Sequence, residues 1–243
     1  AGQGGGVRAN REVALFSHIF NKAREWGYTD QANPCRGVSR NKEAGRNVYV
    51  DDADFWAVYA VAERHIQFVM LVAYLIGQRV ADCLKIKITD IKDGALWIEQ
   101  NKVASKVRIK LAGALADVVA QILQERGNQK HNALFVHLGT ARHNGQPLTY
   151  SMLRGGMDRA REAAGVKKDD FQFRDLRAKA ATDKDEALGI EAARALLGHK
   201  NQSMTVEYVR HRKGKLVAPT VDVIGVELTA KKGCRAGEKK CKM

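Results

Sequence analysis

Leu196-Leu197-Gly198-His199-Lys200-Asn201-Gln202-Ser203-Met204-Thr205-Val206-Glu207-Tyr208 is the stretch on which the rest of the chain turns. Glycine after an apolar helix end permits a tight turn. A tyrosine nine residues beyond the following histidine can then share one phosphate with the imidazole. In a strongly basic chain that pairing suggests covalent chemistry on DNA.

The basic character is plain in the composition. Among 243 residues, 41 Lys and Arg face 27 Asp and Glu, a formal net charge of +14. Such a field attracts polyanions, nucleic acid first and an anionic membrane surface second. With 45% hydrophobic residues the chain can bury a substantial core. It contains no apolar run of roughly eighteen residues, and Ala1–Gly6 lacks the apolar centre of a secretion signal, so a soluble intracellular protein without membrane attachment is expected. Cys35, Cys83, Cys234 and Cys241 are scattered and read as reduced thiols. His65, His131, His137, His143 and His211 show no spacing that suggests a metal site.

Outward from the quoted stretch the pattern is mostly helical. Arg11 to Trp26 has helical apolar spacing, and the polar segment Asn33–Arg46 reads as a linker. Asp51 or Asp52 can cap a helix through Phe55, Val58 and Tyr59, and Ile66–Ile76 forms a second helix ended by Gly77. Ala95–Glu99 and Lys106–Lys110 read as two strands around a turn, Asn101–Ser105, that carries Lys102. Leu111–Arg126, Thr149–Ala164, Asp170–Lys184 and Gly189–Leu197 are further helices, with Leu134-Phe135-Val136 as a short apolar run. The fold class is mainly α with a small antiparallel β-sheet (α+β). The expected domains are 1–45, a helix plus linker that looks truncated at its N-terminus; 46–228, a catalytic domain; and 229–243, a basic and disordered tail.

Arg174-Asp175-Leu176-Arg177 places two guanidiniums on one helix face while Leu176 points to the core. Guanidinium forks match phosphate oxygens and stay charged at neutral pH. Gly77-Gln78-Arg79-Val80-Ala81-Asp82, Asn101-Lys102, Phe173-Arg174-Asp175-Leu176-Arg177, Leu197-Gly198-His199 and Tyr208 follow one another in the order and approximate spacing of the tyrosine recombinases. The chain resembles the phage integrase (lambda-integrase-like) branch of that family from about Val48 to Tyr208. Its first helix and linker look like the end of the family's core-binding domain.

The resemblance implies roles. Arg79 and Arg177 would clamp the scissile phosphate, with Asp82 orienting Arg79 from behind. Lys102, ahead of Lys106, would protonate the departing 5′ oxygen. His199 would donate to the phosphate or position the tyrosine, and Tyr208 would be the nucleophile. Where the family usually has histidine this chain has Arg174, which cannot act as a base but can bond the phosphate. The implied reaction is site-specific strand exchange through a 3′-phosphotyrosyl link and a Holliday junction, needing neither ATP nor a metal. The implied partners are double-stranded DNA, a tetramer of the chain on paired sites and DNA-bending accessory proteins, in the bacterial cytoplasm at the nucleoid. The fragment alone is expected to be monomeric. A catalytically impaired DNA-binding protein of this fold and a type IB topoisomerase are the alternatives.

Overall fold

Apolar periodicity builds the centre of the computed structural model, which describes residues 4–100, 105–139 and 143–209. The helices are α1 (Gly4–Glu25), α2 (Asp52–Val61), α3 (Arg64–Ile76), α4 (Val80–Leu84), α5 (Ala114–Arg126), α6 (Tyr150–Ala164), α7 (Asp175–Leu188), α8 (Ile190–Leu197) and α9 (Gln202–Val206). Strands β1 (Ile91–Lys92), β2 (Ala95–Gln100) and β3 (Ser105–Lys110) form an antiparallel sheet in that order. No helix among the described residues is long and apolar enough to cross a membrane.

Helix α3 is apolar nearly all round, as a helix enclosed by others must be. It touches α2, α4, α5, α6 and α7, and Ile66, Phe68, Val69, Met70, Val72, Ala73 and Ile76 are all buried. Phe171 and Leu176 pack into the same core. Full burial of such side chains stabilises by about 1.5–3 kcal/mol each, so this core fixes the N-terminal half of α7, which carries the site. In β2 the alternation sends Leu96 and Ile98 to the core, where they oppose Ile109 and Val107 of β3.

Several boundaries differ from the sequence expectation. Helix α1 begins by Gly4 rather than Arg11, and α5 starts at Ala114 because Gly113, at φ 53°, turns the chain just before it. Helix α7 starts at Asp175; the segment from Lys167 turns instead, with the Asp170 and Phe171 N–H groups bonded to Lys167 O. The apolar run Leu134–Val136 makes only isolated bridges on either side, Lys87 with Ala133 and Val136 with Pro147. Strand β1 is too short to leave a periodic signal. The stretch Leu216–Ile224 and the basic tail lie outside the described residues.

The segment expected as a plain linker has no regular secondary structure but is pinned at both ends. Buried Asn10 of α1 donates to Asn41 O at 2.9 Å and to Glu43 Oε1 at 2.8 Å, while its own Oδ1 accepts from Asn41 N at 2.8 Å. Arg46 then donates to both Asp175 oxygens, at 2.8 and 2.7 Å, and to Asp169 O. Leu15, Phe16 and Ile19 of α1 remain exposed.

Candidate active site

A cleft of about 400 Å³ opens where the α3–α4 turn meets the start of α7. Arg46, Arg79, Arg174, Arg177 and Tyr208 all line it. Four of the residues singled out from the sequence therefore converge, although almost 130 residues separate Arg79 from Tyr208.

The turns explain the convergence. Gly77 ends α3 in the left-handed conformation (φ 61°), so the chain reverses and Arg79 becomes the N-cap of α4 rather than the last residue of α3. Asp82 follows one turn later, its Oδ2 3.9 Å from Arg79 Nη1. Arg177 lies in the first turn of α7 and is only 4% exposed. Its Nη1 donates to Gly77 O at 2.7 Å, and its Nη2 donates to Leu197 O at 3.0 Å. Arg174 is the N-cap of α7, exposed at the rim of the cleft.

Gly198 closes α8 at φ 67°, and a Cβ there would meet Val107 Cγ2 at 2.7 Å and Gln100 Nε2 at 2.8 Å. Both the handedness and the crowding demand glycine. The crowding comes from a buried amide network that the sequence did not disclose. Gln100 Nε2 donates to Gln78 Oε1 at 2.6 Å and to Leu197 O at 2.8 Å, and Gln78 Nε2 donates to Leu196 O at 2.7 Å. These bonds satisfy carbonyls at the end of α8 that have no partner within the helix. They also join β2 to the Gly198 turn.

His199 is 5% exposed. Its Nε2 faces Arg177 Nη2 at 2.9 Å and its Nδ1 faces Thr205 Oγ1 at 3.1 Å. Since a guanidinium only donates, Nε2 accepts and the proton of the neutral ring sits on Nδ1, donated to Thr205. Burial, and then the charges of Arg177 and Arg79, push the imidazole pKa down to about 4. Burial and the neighbouring Arg79 likewise hold the Arg177 guanidinium below its ordinary value, though far too little to discharge it near neutrality.

Tyr208 follows α9, with its N–H bonded to Thr205 O at 2.9 Å. The ring lies 5.3 Å from the His199 ring, with Arg177 Cζ 5.1 Å from its centroid. Arg79 Nη1 and Arg177 Nε are buried and have no hydrogen-bond acceptor among the described residues, Asp82 Oδ2 standing 3.9 Å from Arg79 Nη1. Buried charged donors left in that state are costly, and an anion in the cleft would satisfy both.

Lys102 lies outside the described residues. Lys106 is exposed on β3 and lines a separate cleft with Lys85, Lys87, Lys92 and Trp97. The histidines read as unpaired include two that the fold unites: the His65 and His137 rings are 4.3 Å apart. Seventy-two residues separate them in sequence, so spacing carried no hint.

A mainly helical catalytic domain with this cleft is of the tyrosine recombinase type. Residues 53–215 match the family described as the phage integrase family, and the chain belongs to it, on the lambda-integrase-like branch. Among its relatives, the integrase of Escherichia phage HK022 is 29% identical over 205 residues, covering 81% of this chain and 56% of that protein. The integrase of Escherichia phage lambda is 29% identical over 200 residues, covering 80% and 56%. The chain thus spans little more than half the length of these curated relatives.

Solved structures agree on the fold. A lambda integrase tetramer bound to a Holliday junction superposes with a TM-score of 0.75 at 23% identity, covering 88% of this chain and 63% of that one. The lambda integrase catalytic core gives 0.54 at 25% identity, covering 63% and 91%.

Proposed function

We propose that this chain is the DNA-cleaving and rejoining part of a site-specific recombinase, with Tyr208 as nucleophile. The observation that carries the reading is the pair of buried, unsatisfied donors, Arg79 Nη1 and Arg177 Nε, beside a half-buried phenol. The tyrosine oxygen attacks the scissile phosphorus, the bond to the 5′ oxygen breaks, and a 3′-phosphotyrosyl link and a 5′ hydroxyl result. A hydroxyl from the partner strand reverses the step. The phosphodiester's bond energy is kept in the covalent link, so the exchange consumes no ATP.

Arg79 and Arg177 stabilise the charge that develops on the phosphate oxygens. Lys102 supplies the proton to the 5′ oxygen. Arg174 has no lone pair to offer, so at the rim it contributes charge and hydrogen bonds only. His199 is the neutral group beside the phenol with a lone pair able to take its proton. In the free protein Arg177 holds that lone pair and, with Arg79, keeps the ring weakly basic. A phosphate in the cleft offsets both positive charges, so substrate binding itself makes His199 a better base.

The DNA partner and a tetrameric assembly are inferred from the basic charge and from the lambda integrase tetramer on a Holliday junction. DNA-bending accessory proteins complete the expected assembly. Residues 1–45, with the exposed apolar face of α1, are taken as the end of a core-binding domain, followed by a catalytic domain at 46–228 and a basic tail at 229–243.

The test is a nicked suicide duplex carrying the element's core site, scored for covalent adduct on a denaturing gel. Wild type should form the adduct, and Tyr208→Phe should form none while binding the duplex equally well. An adduct in Tyr208→Phe would show that another residue attacks. No adduct from wild type with binding intact would leave a DNA-binding protein of the same fold.

A further inference from the structure

At the far end of α3 from Gly77, three side chains from two distant segments meet. Glu63 is the N-cap of α3, His65 lies in its first turn, and His137 follows the bridge between Val136 and Pro147. Their ligand atoms all lie within 4.8 Å of one another. His65 is 3% exposed and its ring is caught between two acceptors: Leu138 O stands 3.2 Å from Nδ1, and Glu63 Oε2 stands 3.2 Å from Nε2. A neutral imidazole has one N–H and can satisfy only one of them. The other nitrogen then turns a lone pair toward an oxygen lone pair.

Either a second proton or a metal cation resolves that conflict. The surroundings favour the metal. The His137 ring lies 4.3 Å from His65, so a protonated ring would sit against a second basic ring rather than against an anion alone. His137 Nδ1 is buried without a hydrogen-bond partner among the described residues, and a coordinate bond would satisfy it. The Leu138 carbonyl fixes the His65 tautomer by accepting from Nδ1 and leaving Nε2 bare, the arrangement that metal-binding histidines commonly have. Arg159 holds the other Glu63 oxygen, Oε1, at 3.0 and 2.5 Å, which leaves Oε2 directed at His65.

We propose that Glu63 Oε2, His65 Nε2 and a ring nitrogen of His137 bind one divalent transition-metal ion of the zinc type. Two imidazoles and one carboxylate suit zinc, cobalt or nickel and not magnesium or calcium. The fourth position falls to water or to His143, whose ring is 5.9 Å from that of His137. Metal bonds of about 2.0–2.1 Å require the ligand atoms to draw together by roughly 1.5 Å at most. Glu63 is half-exposed and His137 is partly exposed in a segment outside the helices and strands, so both side chains can move that far.

The ion would tie the segment that follows the Val136–Pro147 bridge more firmly to the junction of α2 and α3. The Leu138 O contact with His65 Nδ1 already links this segment to α3, and His137 N to Gln146 O and Gly145 N to His137 O close it on itself. Twelve residues of helix, roughly 18 Å, separate the site from Gly77 and the cleft. Its role is to staple the fold, and it stands independently of the cleavage reaction.

The experiment is titration of Co²⁺ into the chelator-stripped chain, following visible absorption and thermal unfolding. One equivalent should bind with a tetrahedral spectrum and raise the unfolding temperature, equally in Tyr208→Phe and in His131→Ala. His137→Ala and Glu63→Gln should each weaken binding by roughly tenfold or more. Both variants change partly exposed side chains, so loss of fold is readily checked by their unfolding without metal. Equal affinity in both variants, or no cobalt band at millimolar metal, would overturn the site.

Discussion

Two cations lie buried two residues apart on α7, and the fold treats them in opposite ways. Lys179, 2% exposed, is surrounded by anions and phenols: its Nζ meets Asp52, Asp183 at 3.2 Å and Tyr49 Oη at 3.1 Å. Tyr49 and Tyr74 in turn donate to Asp183 at 2.6 and 2.8 Å. Burial alone would lower the Lys179 pKa, but the bonds to Asp52 and Tyr49 and the charge of Asp183 raise it overall. Burial and the bond to Asp183 push the Tyr49 phenol up to about 12. Arg177 instead bonds two carbonyls and a neutral imidazole, and burial wins. A buried cation given carboxylates belongs to the scaffold. One bonded to dipoles, with the Asp82 charge acting on it from nearby, is on the proposed function kept for an anion from outside.

The contrast predicts separable defects. Arg177→Met should lower the rate of covalent adduct formation by about 10²–10³, the usual effect of removing one donor to a charged transition state. Lys179→Met should leave the rate per folded molecule within a few-fold and lower stability by about 3 kcal/mol in urea melts, because Asp183 and its two phenols lose their counter-charge. If both variants lost activity and stability alike, the division between scaffold and site would fail.

Smaller effects sharpen it. Gly198→Ala should destabilise by about 2 kcal/mol through the left-handed backbone and the contact with Gln100, and should slow cleavage by displacing His199. Inorganic phosphate should raise the unfolding temperature of wild type and Lys179→Met but not of Arg177→Met, as any ligand of the native state alone must.

Acid should act through His199. Its native pKa, about 4, lies below the ordinary value of 6.5, so between those values the unfolded chain binds more protons. Its contribution to stability is therefore complete above about pH 6.5 and is lost as pH falls toward 4. Urea melts of His199→Asn across that window should show a flatter dependence than wild type.

Where physics is local, the sequence was readable. The periodicity of Ile66–Ile76, the stop at Gly77 and the alternation in Ala95–Glu99 each follow from neighbouring residues, and so the fold class did too. That Arg79, Arg174, Arg177 and Tyr208 belong together was legible from their types and order, and they do line one cleft. Buried polar partnerships were not. Gln78 with Gln100, Asn10 with Asn41, Lys179 with Asp52, and His65 with His137 each join distant residues that read as ordinary surface positions one at a time. The start of α7 was misplaced because the turn from Lys167 carries no glycine or proline to mark it.

The grip of Arg46 on Asp175 has a mechanical consequence. Arg46 ends the linker, and Asp175 opens the helix that bears Arg177 two residues later. Tension on the N-terminal segment enters the fold at that ion pair rather than at a slack hinge. The linker is therefore a lever with its fulcrum beside the cleft, and on the proposed function a pull on it would be felt first by the helix that carries Arg177.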